Sequence, residues 1–65
     1  MYLNFYKEMK ARNLNQALVA DKIGITRESL NNKLNGKTDF KAKELFDIKQ
    51  IFFPDLTLEY LFAKE

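Results

Sequence analysis

The chain has 65 residues, of which 46% are hydrophobic and 31% charged, and it contains no cysteine and no histidine. This length leaves room for one small domain and excludes an enzyme with a separate cofactor domain. Without thiols or imidazoles the chain also lacks disulfides and the usual zinc ligands, so packing must stabilise it. We therefore expect one domain over residues 1–65, with no metal, no cofactor and no catalysis.

Charge is unevenly distributed along the chain. Residues 1–43 hold nine Lys or Arg and four Asp or Glu, whereas residues 44–65 hold two and five. This split indicates that the basic part of the chain binds a polyanion. The acidic, apolar C-terminal part would then have a different function. The apolar runs are too short to span a bilayer and the start of the chain lacks a signal-peptide pattern, so we expect a cytoplasmic protein.

The first two predicted helices are amphipathic. Phe5 and Met9 stand four apart among polar residues, which indicates a helix over about residues 2–12. Asn15 is a good N-cap, because its side-chain oxygen can accept a free N–H of the following turn. The sequence therefore predicts a second helix over residues 16–23.

A third helix is predicted over residues 27–34. Gly24 suits the left-handed backbone that ends the preceding helix, and Thr26 offers a hydroxyl as the next N-cap. Leu30 and Leu34 form an apolar pair four apart, so we expect both to face the core.

Two further helices complete the predicted chain. Apolar residues trace a fourth helix over about residues 42–52, and Pro54 breaks the chain before Thr57 caps a last short helix. No segment alternates apolar and polar residues as a half-buried strand would. The predicted fold class is all-α, with five helices.

The outer face of the third helix carries the most informative chemistry. With both leucines inward, Glu28 and Asn32 point directly outward and Asn31 lies beside them. Asparagine is a poor helix former, so its presence here needs another reason. Asparagine can pair with adenine, arginine with guanine and glutamate with cytosine through base edges in the major groove. This face predicts a recognition helix for DNA.

Nearly the whole chain resembles the phage repressor and Cro family, with five helices in the family's order, and the resemblance is strongest in the helix-turn-helix of residues 16–40. The shared pattern is a small Ala20 in the second helix, Gly24 at the turn and an apolar Leu30 in the third helix. The resemblance implies a compact lambda-repressor-like bundle in which helices 2 and 3 form the helix-turn-helix. It also implies a sequence-specific repressor that reads an operator in double-stranded DNA.

One position departs from the commonest family pattern. Three residues before the glycine that closes the third helix, most members carry an apolar residue. This chain has Lys33 there, and the apolar residue follows one position later as Leu34. This departure leaves open the rotation of the third helix about its own axis, and with it the choice of side chains that reach the bases.

The resemblance also implies a set of DNA contacts. The residues that match base-reading positions are Arg27, Glu28, Asn31 and Asn32. The residues that match phosphate-binding positions, or lie near them, are Gln16, Ser29, Lys33, Asn35 and Lys37. Lys41 is close enough in sequence to add positive charge to the same surface.

These assignments have alternatives. Glu28 could instead complement the dipole of its own helix, and Arg27 could pair with Glu28 or Asp21 at the surface. Three others could be ordinary surface residues, namely Asn31, Asn32 and Lys37.

Aromatic residues are concentrated in the acidic C-terminal third. We expect a homodimer through Phe53, Tyr60 and Phe62, although these rings could merely seal a small core. A second interpretation of the whole chain is a protein-interaction module, such as an antirepressor or an antitoxin, that uses this apolar face for a protein partner. An enzyme has no support beyond Glu44 and Asp47, which we expect to face water.

Overall fold

Five α-helices make up the computed structural model, which describes residues 2–63. In chain order the helices are α1 (Leu3–Ala11), α2 (Gln16–Ile23), α3 (Arg27–Leu34), α4 (Ala42–Phe52) and α5 (Leu58–Leu61). The described residues contain no strand. The predicted all-α class is confirmed, and the predicted ends of α2, α3 and α4 coincide with the observed ones.

Side-chain caps start three of the helices. In each of them an oxygen at the N-cap accepts a hydrogen bond from a backbone N–H three residues later. The capping and donor residues pair as Asn15 with Leu18 (2.8 Å), Thr26 with Ser29 (3.0 Å) and Thr57 with Tyr60 (3.1 Å). All three predicted caps are confirmed.

Helices α1, α2 and α3 end in the same type of turn. At the end of α2 the N–H of Ile25 donates to Ala20 at 3.0 Å, and the N–H of Gly24 donates to Asp21 at 3.3 Å. This is the Schellman arrangement, which requires a left-handed residue directly after the helix. The left-handed residues at the three ends are Asn13 (φ 57°), Gly24 (φ 79°) and Gly36 (φ 80°).

The core lies where α2, α3 and α4 meet, and α1 and α5 close it from the other side. Val19, Leu30, Leu34 and Ile48 are fully buried there. Ala20 is 2% exposed, and its small side chain lets the axes of α2 and α3 approach closely. This packing holds α3 against α2 in a helix-turn-helix.

Aromatic rings fill the part of the core beneath α1. Phe5 lies 5.8 Å from Phe53 and 5.6 Å from Phe62, measured between ring centroids. Phe62 also contacts Tyr2 at 5.6 Å and Phe40 at 5.2 Å. These mostly edge-to-face contacts fasten the end of α5 to α1 and to the segment before α4.

Candidate nucleic-acid interface

Helix α3 turns one side toward the core and the other toward the surface. Leu30 and Leu34 are both 0% exposed, so the predicted inward pair is confirmed. The exposed residues of α3 and its C-terminal end are Arg27, Glu28, Asn31 and Asn35. Asn32, expected to point directly outward, is partly buried, as is Ser29. The amide-rich face is therefore centred closer to Asn31 than the two leucines predict.

An open groove runs between the start of α2 and the outer face of α3. Four side chains line it: Gln16, Arg27, Glu28 and Asn31. Within residues 2–63 the side chains of Gln16, Arg27 and Glu28 make no hydrogen bond or ion pair. Their donors and acceptors are thus available to a ligand in the groove.

The surface pairings considered for Arg27 do not form. Its guanidinium lies within 4.0 Å of neither Glu28 nor Asp21 among the described residues. Asn31 and Asn35 contact each other, since Asn35 Nδ2 donates to Asn31 Oδ1 at 3.3 Å. This contact leaves the amide nitrogen of Asn31 as a donor, so the pair still presents donors at the surface. Glu28 lies in the first turn of α3, where the helix dipole also favours a carboxylate.

Lys33 lies inside the molecule. It is 8% exposed, and its Nζ donates to Glu44 Oε1 at 2.6 Å and to Oε2 at 2.5 Å. A buried ammonium held by a carboxylate does not reach toward a duplex. The phosphate contact expected for Lys33 does not fit this placement.

Glu44 does not face water as expected, because it is also only 8% exposed. Burial acts to raise its pKa, but hydrogen bonds from Lys33 and from the backbone N–H of Lys41 outweigh burial, and the pKa is lowered below its ordinary 4.5. Asp47 is partly buried and pairs with Lys43 at 3.0 Å. A lysine that faces the core from α3 needs a buried carboxylate as its partner. This requirement is the sequence signal that could have identified Glu44 as a buried residue.

Comparison with known families supports the architecture of α2 and α3. A sequence model of the helix-turn-helix family of the Cro/C1 type matches residues 5–53, which is more than half of the chain. The chain belongs to this helix-turn-helix family. The family is one of DNA-binding regulators and is typically not enzymatic. No curated protein and no solved structure matches the chain.

In this helix-turn-helix, Asn35 and Lys37 lie at the surface after α3. The Lys37 backbone N–H donates to Asn32 at 2.9 Å, which fixes the start of the loop, while the Lys37 ammonium has no partner among residues 2–63. Lys41 is exposed at the other end of the same loop. Two exposed cations thus lie on this loop, one near each of its ends.

Of the three expected dimer residues, Phe53 lies in the core and Phe62 packs against it. Phe53 is 0% exposed, and Phe62 is partly buried among aromatic rings. Tyr60 is 36% exposed, and its hydroxyl donates to Glu8 at 2.9 Å. A direct interface role does not fit the burial of Phe53. The alternative interpretation, in which these rings seal a small core, fits Phe53 and most of the Phe62 ring.

Other apolar side chains are exposed instead. Among the residues that the structure describes, the large ones besides Tyr60 are Leu3, Leu18, Phe46 and Ile51, of which Phe46 is the most exposed at 58%. No helix within residues 2–63 is long and apolar enough to cross a membrane. The same residues contain no group of three acidic side chains that could hold a metal ion.

Proposed function

We propose that this chain is a sequence-specific transcriptional regulator that binds double-stranded DNA and resembles a phage Cro-type repressor. In this proposal α3 lies in the major groove, which has the width to admit an α-helix. The observation that carries the proposal is the groove in which the uncommitted side chains of Gln16, Arg27 and Glu28 converge beside Asn31. The unpaired side chains of Gln16, Arg27 and Glu28 suit a ligand that supplies both donors and acceptors.

Base edges are read by four residues of α3. Arg27 donates to the two acceptors of guanine, and Glu28 accepts from the amino group of cytosine. Asn31 and Asn32 each present a donor and an acceptor that match adenine. Because Asn31 is exposed and Asn32 is partly buried, Asn31 makes the larger contribution.

Phosphate contacts fix how the protein sits on the duplex. Gln16 is the first residue of α2, where free backbone N–H groups and the helix dipole favour an anion. The other proposed phosphate contacts are Ser29, Asn35 and Lys37. Ser29 uses its hydroxyl, since its backbone N–H already caps onto Thr26.

A homodimer presents two recognition helices about 34 Å apart and reads a partly palindromic operator. Tyr60 and the accessible part of Phe62 remain in the proposed dimer surface. No cofactor takes part, and such a regulator acts in the cytoplasm, where its DNA target lies.

A second candidate function keeps the same fold. The chain is then a protein-interaction module, such as an antirepressor or an antitoxin, whose apolar surface binds a protein partner. The exposed rings and aliphatic groups favour this candidate, above all Phe46 at 58% and Ile51 at 49% exposure on α4.

Selection of bound duplexes from a random pool separates the two functions. A DNA-reading protein enriches one short site, and a dimer enriches a site with two half-sites one helical turn apart. A pool that shows no enrichment after repeated rounds contradicts the proposed function and favours the interaction module.

A further inference from the structure

Helix α3 is seated on the core by a cation as well as by leucines. Leu30, Lys33 and Leu34 are all buried, so three positions on one side of α3 face inward. A buried ammonium is costly unless a partner supplies charge and hydrogen bonds. Glu44 on α4 supplies both.

The Glu44 carboxylate joins three points of the chain. Both of its oxygens accept from the Lys33 ammonium, and Oε1 also accepts from the Lys41 backbone N–H at 2.9 Å. Lys33 lies in the last turn of α3, and Lys41 is the N-cap of α4. The Glu44 side chain therefore connects the last turn of α3 to the start of α4. It also holds together the two ends of the loop over residues 35–41.

The position of Lys33 is consistent with a specific rotation of α3. At about 100° per residue, Asn31 and Asn35 lie about 160° around the axis from Lys33, whereas Asn32 lies only about 100° away. If the two leucines alone faced the core, Asn32 would lie opposite them. The observed exposure of Asn31 and Asn35, with Asn32 partly buried, matches an inward direction that is centred near Lys33.

An ion pair can hold this rotation in a way that apolar contacts do not. Hydrophobic burial is non-directional and tolerates small rotations of a helix, whereas two charge-assisted hydrogen bonds fix both distance and direction. Polar groups in a core are used in some proteins to select one packing arrangement at a cost in stability. Lys33 and Glu44 satisfy each other, and no buried side-chain polar atom of the described residues lacks a partner.

We propose that Glu44 is a positioning residue for DNA reading, which acts through Lys33 to hold α3 in the rotation that presents Asn31 rather than Asn32 to the bases. This inference rests on the proposed function. Glu44 itself does not touch DNA. It makes the choice of reading residue depend on a contact on the opposite side of the recognition helix.

The test replaces the ion pair by an apolar pair. The single variant Glu44→Gln leaves the Lys33 charge buried beside a neutral partner and is expected to be less stable. The double variant Lys33→Met with Glu44→Met removes both charges, and apolar replacements of buried ion pairs often keep or raise stability. Asp47→Asn is the matched control, because it breaks the exposed ion pair with Lys43 on the same helix.

Two measurements are made on the folded double variant. The first is the affinity ratio between the duplex selected by the wild type and single-base changes of it, which we expect to fall about tenfold or more at a position that Asn31 reads. The salt dependence stays unchanged, since no phosphate contact is lost. The second is NMR line broadening of the side-chain amides by a soluble paramagnetic agent, which is expected to be stronger for Asn31 than for Asn32 in the wild type and no longer so in the double variant.

Wild-type discrimination and wild-type amide broadening in the folded double variant would overturn the positioning role. A wild-type protein that selects no duplex contradicts the proposed function instead. In that event the amide measurement still decides whether the pair sets the rotation of α3, because it needs no DNA.

Discussion

Arg12 and Asp55 form a two-pronged ion pair that fastens the end of α1 to the turn after α4. Arg12 Nη1 and Nη2 donate to the two Asp55 carboxylate oxygens at 3.0 and 2.8 Å, and Nη1 also donates to the Phe52 carbonyl at 3.0 Å. The guanidinium carbon lies 5.0 Å from the centre of the Phe53 ring. Arg12 thus holds the C-terminal turn over the aromatic core through three kinds of contact.

We expect Arg12→Ala to lower the midpoint of thermal unfolding. Arg12→Lys should lower it too, because an ammonium cannot replace the planar fork of the guanidinium. Lys10→Ala is the control, since Lys10 is exposed on α1 and has no partner within residues 2–63. Equal midpoints for Arg12→Ala and Lys10→Ala would contradict a stabilising role for the contacts of Arg12.

Leu30→Ala removes a fully buried side chain between α2 and α3. Such a substitution costs about 2–5 kcal/mol, which is a large part of the free energy of unfolding of a domain this small. Chemical denaturation measures the loss. Leu3→Ala provides the comparison, because Leu3 is 47% exposed and should lose much less. Similar losses for both would contradict the placement of Leu30 in the core.

Stability should depend on pH through Glu44. Burial acts to raise its pKa, but the hydrogen bonds from Lys33 and Lys41 outweigh it, so the pKa in the folded state is below the ordinary 4.5. The unfolded chain therefore takes up a proton more readily, and the stabilisation is fully present above about pH 4.5 and is lost as pH falls through the lowered pKa.

Denaturation of the wild type and of Glu44→Gln across pH checks this expectation. The wild type should be the more stable at neutral pH, and the difference should shrink below about pH 4.5. Asp47→Asn should show a smaller difference than Glu44→Gln at neutral pH. A Glu44→Gln deficit that is the same in acid and at neutral pH would count against an ionised, paired Glu44.

Measurements of DNA affinity should distinguish residues that contact bases from residues that contact phosphates. Asn31→Ala is expected to reduce discrimination between the selected duplex and its single-base changes, while Asn32→Ala has a smaller effect. Lys37→Ala should weaken binding to all duplexes alike. It should also make the fall of log K with log salt less steep by about 0.9. Fluorescence anisotropy over a range of salt concentrations distinguishes these outcomes. Equal losses on selected and random DNA for all three variants would show that the readers are misassigned.

Local chemistry explains why the helices could be predicted from the sequence. The caps at Asn15, Thr26 and Thr57 act over three residues. The turn at Gly24 could be predicted because glycine readily adopts the left-handed backbone that ends a helix. Signals of this kind are complete within a short window of sequence. The ends of α2 and α3, which define the helix-turn-helix, therefore follow from the sequence alone.

Contacts between distant residues could not be predicted in the same way. Lys33 looks like a surface cation until Glu44, eleven residues later, is brought against it. The burial of Phe53 depends on Phe5 at the other end of the chain. The predictions of a phosphate contact for Lys33 and of a dimer contact for Phe53 each placed a buried residue at the surface. Because Lys33 was not expected to face the core, the outward side of α3 was expected closer to Asn32 than to Asn31.

An NMR titration of isotope-labelled protein with the selected duplex tests most directly whether α3 enters the DNA groove. We expect the largest shifts in backbone amides at Gln16, across residues 27–32 and at Lys37. Saturating duplex that leaves these amides unchanged, with shifts only at residues 52–62 when a protein partner is added, would contradict DNA reading by α3.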